Sequence, residues 1–430
     1  MRRSIPLTLI VIALSVPSLR ADDWPQWGGP QRDLVWRESG IVDQLPAGQL
    51  PRVWSVPIGE GYAGPAVAEG RVFVTDRVHG AGRSGQERVW AINADSGEVL
   101  WKHEYDCSYE ISYPAGPRAT PVVDGDRVYT IGAVGHLFCL SAKTGEVIWS
   151  KEFTKDFDTT LPTWGMAASP LIDGDQLITL VGGPQALIVS FDKRTGKELW
   201  RSLHDPAIGY CPPVIFDFGQ SRQLIVWHPH AISALDPATG RKLWEVPFQV
   251  QAGLTIATPR KVGNHLLVTA FYNGSRMLEV APDGSGAKVV WQGHSDSEVD
   301  TDGLHGLMCT PWLTEDVVYG VCSHGQLRCL NAHTGKRIWE TKAATGEGRW
   351  WNAFIIPHED RFFIHNEQGD LILARLTPQG YEELSRSKLI EPTRDVRRRM
   401  TIWSHPAFAM QSVFARNDRE LIRVDLRAKP

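Results

Sequence analysis

Ala91-Ile-Asn-Ala-Asp-Ser-Gly-Glu-Val-Leu-Trp101 and Cys139-Leu-Ser-Ala-Lys-Thr-Gly-Glu-Val-Ile-Trp149 follow one pattern, and three further stretches, Ser190 to Trp200, Ala234 to Trp244 and Cys329 to Trp339, repeat it. Each copy holds a small residue, then Asp, Asn or Ser two positions on, then Ser/Thr-Gly, then Trp four residues after the glycine. A looser copy ends at Trp291 with one extra residue after Gly286, and another runs from Ala374 to Gly380 with Leu384 in the Trp slot. Trp54, Trp101, Trp149, Trp200, Trp244, Trp291, Trp339 and Leu384 are separated by 47, 48, 51, 44, 47, 48 and 45 residues. A steady period of this length marks a repeat architecture.

Two alternating strands precede each copy. In the second unit they are Thr120-Pro-Val-Val-Asp-Gly-Asp-Arg-Val-Tyr-Thr-Ile131 and His136-Leu-Phe-Cys-Leu140. Apolar-polar alternation and β-branched residues favour strands. Asp124-Gly125 and Asp173-Gly174 read as type I′ hairpin turns. The Thr-Gly pair supplies the next turn, with glycine at positive φ. Each unit therefore reads as a four-stranded antiparallel meander, and tandem units at this period make a β-propeller. Seven units start near Pro65, Pro121, Pro170, Pro212, Pro259, Pro311 and Asn352, and an eighth starts near Pro406 but lacks its last strand. Arg52-Val-Trp-Ser-Val-Pro57 has the Trp and no unit before it. It is expected to supply that strand and close the ring, removing the open edges. The predicted fold is all-β: an eight-bladed propeller of four-stranded antiparallel blades over residues 52–430, with an N-terminal extension over 22–51.

Composition fits this reading. Of 430 residues, 42% are hydrophobic and 22% charged, which excludes a disordered chain and a polytopic membrane protein. A net charge of -4 gives no positive field for nucleic acid. Arg2-Arg3, an apolar run from Ile5 to Val16 and small residues at Ser18 and Ala21 read as a secretory signal over residues 1–21. The run is shorter than the roughly 20 residues a spanning helix needs. The expectation is an exported monomer, periplasmic or extracellular, with no integral membrane span after signal cleavage. No Cys precedes Cys107, so a lipid anchor on an N-terminal Cys is not expected.

The repeat, small-x-Asp-x-x-Thr-Gly-x-x-x-Trp, resembles the PQQ-like (quinoprotein) repeat. That repeat occurs in PQQ-dependent alcohol dehydrogenases and in the non-enzymatic, BamB-like propeller lipoprotein of the outer-membrane β-barrel assembly machine. Trp24-Pro-Gln-Trp-Gly-Gly-Pro30 and Phe414-Ala-Arg-Asn-Asp-Arg-Glu-Leu421 are similar to segments of a group of exported bacterial propellers with the same repeat. The resemblance implies the fold across nearly the whole chain after the signal. It implies two functions: a non-catalytic binding or scaffolding propeller of the cell envelope, or a PQQ-dependent alcohol or sugar oxidoreductase. The second needs PQQ with calcium held by Glu, Asn and Asp, and a carboxylate base. The adjacent Cys-Cys pair that many such enzymes carry is absent, and that catalytic constellation has no match in the sequence. No cofactor is therefore assigned.

The repeat tryptophans Trp54, Trp101, Trp149, Trp200, Trp244, Trp291 and Trp339 are read as docking residues between blades. Trp24, Trp27 and Trp36 are read as packing the extension onto the ring. Cys139 and Cys329 fill the small-residue slot and are expected to be buried and unpaired, while Cys322 stands as an alternative partner for Cys329 across the hairpin at Ser323–Gln326. Chemistry is expected where the inter-blade loops converge on the axis. Those loops hold Tyr62, Arg118, Trp164, Tyr210, His305, Arg349, Trp351, Asn352, Trp403 and His405, the candidate ligand-binding residues. They fit a pocket for a planar, sugar-like or peptide ligand, or ordinary loop packing that plugs the channel. The partner is accordingly an envelope protein or a small ligand in the funnel. Glu298, Asp300 and Asp302 match only the first half of a calcium loop, since the twelfth position is Cys309. They are read as a solvated acidic loop, with no metal assigned. Arg394, Arg397, Arg398 and Arg399 form a basic run read as a solvated loop.

Overall fold

The computed structural model describes residues 22–429. Residues 1–21, read above as a secretory signal, lie outside the described residues. Among those residues, eight four-stranded antiparallel sheets form a propeller. The first blade pairs Ala66–Ala68, Arg71–His79, Ser84–Asn93 and Val99–Ser108 in chain order, inner strand to outer. Six more blades follow in the same order over residues 122–152, 171–202, 214–247, 260–292, 312–341 and 353–388. The eighth takes Ala407–Ala409, Ser412–Arg416 and Glu420–Asp425 from the C-terminal end and Arg52–Pro57 as its outer strand. Ser55 faces Ile422 and Val56 faces Leu421 in that closing pair.

The ring closure explains the Phe414–Leu421 segment. Arg416, fully buried, donates to the carbonyls of Thr75 and Gly59, both 2.6 Å away, across the seam to the first blade. The Asn417 side chain accepts the backbone N–H of Arg419 and Glu420, which holds the turn. Glu420 pairs with Arg52 on the closing strand.

Local details follow from the turns. In the hairpin of Asp124 with Arg127, Gly125 has φ +57° while Asp126 has no positive φ, which is the II′ pattern rather than the I′ turn expected from Asp-Gly. Seven of the eight outer strands carry a β-bulge just before their Trp. In the first blade Ala91 faces Trp101 and Ile92 faces Val99, so Leu100 is left out of register. Val53, Ile148, Leu199, Leu243, Val290 and Ile338 take the same place in their strands. A bulge on an exposed edge disrupts the ladder and twists it away from foreign strands.

The seventh blade departs from the pattern. Its last turn has two residues between paired Thr377 and Gly380, so the register moves by one and Leu384 falls in the bulge, with Ser385 facing Leu373. Leu384 is thus not in the Trp slot. The N-terminal extension covers this strand instead. Leu45 N–H donates to Ser385 Oγ (2.9 Å), and Leu50 N–H donates to the Lys388 carbonyl (2.9 Å). Leu45 and Leu50 are buried there.

At the other seams an indole lies across the joint. The indole N–H of Trp54, Trp101, Trp149, Trp291 and Trp339 donates to a carbonyl of the next blade: Ala94, Ala142, Lys193, Ala332 and Thr377 respectively. Trp200 and Trp244 turn theirs to Gln176 and Gln223 of their own blade. The ring of Trp101 lies on Gly145, where a Cβ would come within 2.5 Å of it and where φ is +76°. Both constraints require glycine in the Thr-Gly turn.

Residues 24–36 run across the central channel. They touch Val67 of the first blade and Val123 of the second, through Trp24 and Pro25. Arg32 donates to the carbonyls of Pro170 (2.9 Å) and Pro213 (3.2 Å), at the starts of the third and fourth. Trp27 Nε1–H donates to Thr258 Oγ1 (3.0 Å) before the fifth, and Trp36 N–H donates to the Pro357 carbonyl (2.9 Å) in the seventh. Trp24 and Trp36 are buried. The six cysteines, all among the described residues, are buried and free. No helix among the described residues is long and apolar enough to cross a membrane.

Candidate functional site

The loops that join each outer strand to the next inner strand meet at one end of the channel. Because the blades are arranged around an axis, each delivers one loop to the same place. There they enclose a cavity of about 260 Å³. Every one of the eight loops contributes: Tyr62; Tyr113 and Arg118; Trp164; Tyr210; Leu254; Leu307; Trp350; and Trp403 with His405. Tyr272 joins from the turn inside the fifth blade, and Trp27 of the extension completes the lining. With residues 24–36 crossing the channel, the cavity is a cup with a floor rather than a through-pore.

The wall is aromatic. Tyr113 lies 5.9 Å from Trp403 and meets Trp350 edge-on at 6.2 Å, and Trp164 meets Tyr210 edge-on at 5.7 Å. His405 is wedged edge-on between Trp27 (4.8 Å) and Phe354 (4.7 Å), and its Nδ1–H donates to the Pro406 carbonyl. Burial among these rings pulls its pKa down to about 3, so the imidazole is neutral. Arg118 is the cation in the wall. Its guanidinium donates to the carbonyls of Ser112, Tyr113 and Gly116 and sits 5.1 Å above the Tyr62 ring. Burial pushes the Tyr210 phenol up to about 12 and raises that of Tyr62. Neither phenol ionises near neutral pH.

Six of the ten residues singled out from the sequence therefore line the cavity: Tyr62, Arg118, Trp164, Tyr210, Trp403 and His405. The other four stand behind the wall. His305 is fully buried, with Nδ1 on the Phe271 carbonyl at 3.2 Å and burial lowering its pKa. Arg349 pairs with Glu298 and donates to the Tyr272 hydroxyl at 2.9 Å. Trp351 is buried against Gly325 and Gly346, and Asn352 is buried with its N–H on Glu367. Trp350 has φ +68°, so the backbone reverses there, and Trp350 faces the cavity while Trp351 does not. No local sequence signal marks that reversal. Trp27 was read as packing; its place in the cavity depends on the extension crossing the channel, which composition does not reveal.

Calcium-held quinone chemistry requires carboxylate ligands and a carboxylate base. The cavity lining offers phenols, indoles, the hydroxyls of Thr120 and Ser169, one guanidinium and one neutral imidazole, but no Asp or Glu. Glu367 stands behind Trp403 and is occupied by Trp403 Nε1–H, Arg399 and the Asn352 N–H. The residues present do not fit that cofactor. Glu298, Asp300 and Asp302 do not converge either. Glu298 pairs with Arg349, and Asp302 accepts the His294 N–H and faces His305. No group of three or more metal-ligating side chains occurs among the described residues.

One constellation with the order of a hydrolase triad was not legible in the sequence. Asp205 bonds His228 Nδ1, and His228 Nε2 lies 3.0 Å from Ser233 Oγ. Ser233 is fully buried and its hydroxyl donates to Glu245 (3.0 Å). A nucleophile must reach its substrate, and this hydroxyl is sealed. The network ties the loop before the fourth blade to that blade.

The family described as outer membrane protein assembly factor BamB matches the sequence over residues 39–114, 85–215 and 229–429. Among solved structures, BamB from Moraxella catarrhalis is similar with a TM-score of 0.60 at 16% identity, covering 89% of this chain and 99% of that one. The quinohemoprotein alcohol dehydrogenase from Comamonas testosteroni is similar with a TM-score of 0.64 at 13% identity, covering 95% of this chain and 81% of that one. A europium-containing methanol dehydrogenase gives 0.61 at 12% identity, over 94% and 89%. These likenesses establish the fold. No curated protein matches the sequence significantly.

Proposed function

The chain belongs to the outer membrane protein assembly factor BamB family, and from that premise we propose that it is an exported, non-catalytic binding propeller whose ligand seats in the aromatic cavity. The observation that carries the reading is the lining itself. Eight loops and the N-terminal crossing segment gather tryptophan, tyrosine and histidine rings around one cup and bring no carboxylate to it. Aromatic walls with a few polar groups bind and orient flat groups. General acid-base chemistry needs a titratable group poised near the working pH. The His405 imidazole and the phenols of Tyr62 and Tyr210 are far from it.

Export rests on the secretory pattern of residues 1–21. Calorimetry with PQQ and calcium, followed by a dye-linked alcohol oxidation assay, tests the non-catalytic part. The expected result is no calcium-dependent PQQ binding and no dye reduction. Turnover of an alcohol or sugar would establish an oxidoreductase and overturn the reading.

A further inference from the structure

The charges around the cavity are not balanced. Three of the arginines near its mouth have carboxylate partners: Arg349 with Glu298, Arg394 with Asp418 and Glu60, and Arg399 with Glu367. Arg118, Arg397 and Arg398 form no ion pair with a carboxylate among the described residues. Arg118 is in the cavity wall, held only by backbone carbonyls and the Tyr62 face. Arg397 and Arg398 sit at the tip of a small hairpin, Arg394–Val396 with Arg399–Thr401, and both have positive φ. The Arg397 guanidinium lies 4.5 Å from the Trp350 ring, and Arg349 lies 4.6 Å from it. Trp350 lines the cavity and itself holds φ +68°. Strain at a bulky residue persists only where its surroundings impose it, and it gathers at ligand sites.

A guanidinium in a partly dry site gains most from an anion, because a charge-assisted hydrogen bond there is about twice as strong as a neutral one. The rings beside it favour a flat partner. The cavity, at about 260 Å³, is at the small end of ligand pockets, which run from about 300 to 1,000 Å³ for drug-sized molecules. One or two fused rings fit that space. No carboxylate in the lining repels an anion.

Resting on the reading of the cavity as a ligand site, we infer that its ligand is a small aromatic acid, with its rings among Trp164, Trp350 and Trp403 and its anionic group directed by Arg118 and Arg397 without a metal. The inference assigns Arg118 and Arg397 as the residues that set specificity. Charge complementarity chooses the acid over a neutral ring, and the indole walls choose a ring over an aliphatic acid.

Three matched probes test this by calorimetry in EDTA: 2-naphthoate, 2-naphthylmethanol and 2-naphthylmethylamine. Naphthoate is expected to bind about tenfold more tightly than the alcohol, which corresponds to about 1.4 kcal/mol, and the amine more weakly than either. Arg118→Gln and Arg397→Gln are each expected to weaken naphthoate about three- to tenfold while the alcohol changes by less than about twofold, the scale of one net hydrogen bond. Arg397 is exposed, so its variant keeps the test open even if Arg118→Gln fails to fold. Naphthoate affinity is expected to fall as salt rises, and alcohol affinity to hold. An alcohol that binds as well as the acid overturns the inference and leaves the cavity as a neutral-ring site. If none of the three binds and Trp164→Ala changes nothing, the reading of the cavity itself fails.

Discussion

His405 shows how one buried side chain couples the cavity to stability. Its ring is held between Trp27 and Phe354, and its pKa is about 3 against an ordinary value of about 6.5. The unfolded chain therefore binds a proton that the folded chain refuses between these two values. Its stabilising contribution is complete above about pH 6.5 and is lost progressively as pH falls toward 3. By pH 5 the loss is on the order of 2 kcal/mol. His365, lowered by burial to about 4, acts in the same direction. Chemical denaturation at pH 7 and pH 5 checks this: wild type is expected to lose stability across the interval, and His405→Phe to lose less. Equal losses would mean that the imidazole is not the group refusing the proton. At this scale the sequence was half legible. Tyr62, Trp164, Tyr210, Trp403 and His405 stand in the inter-blade loops that lead to the axis. Trp350 and Trp351 are neighbours in the chain, and only the backbone reversal at Trp350 decides which of them enters the cavity.

Seven of the eight seams carry a repeat indole, so the element is the scale at which the repeat acts. We propose that the repeat indoles dock the blades. Trp149 is only 9% exposed, donates to the Lys193 carbonyl of the next blade and lies over the glycine of its Thr-Gly turn. Replacing it with Ala removes the ring and leaves that carbonyl bare, at a cost of about 3–5 kcal/mol. A thermal melt of Trp149→Ala is expected to drop well below wild type; a coincident melt would remove the docking role. The repeat spacing made these elements readable, because the Gly at positive φ receives the indole of the preceding blade and the Trp four residues later lies on the glycine of the next, as Trp101 on Gly145 and Trp149 on Gly196. The seventh blade was misread for a physical reason. Its two-residue turn at Pro378-Gln379 moved Leu384 into the bulge, and the extension around Leu45 and Leu50 took over the cover. Such long-range substitution leaves no mark in a local window.

At the scale of the molecule, closure and crossing make the site. The Arg52–Pro57 strand completes the eighth blade, and Arg416 bonds it to the first, so the eight loops are held at one radius. Residues 24–36 then cross the channel and place Trp27 at the cavity. The two stretches that set this sequence apart from the bare repeat, Trp24–Pro30 and Phe414–Leu421, are the crossing segment and the closure. The ring was predictable from period alone; the floor was not, since nothing in the first 51 residues repeats. What the whole arrangement offers is an open-mouthed aromatic cup lined by a guanidinium group without a carboxylate partner and by no Asp or Glu. The most direct test is a crystal structure of the protein grown with 2-naphthoate and EDTA. The account predicts the naphthalene ring in the central cavity against Trp164 and Trp350, with its carboxylate toward Arg118. An empty cavity with naphthoate bound elsewhere, or density only when a metal is supplied, would contradict it.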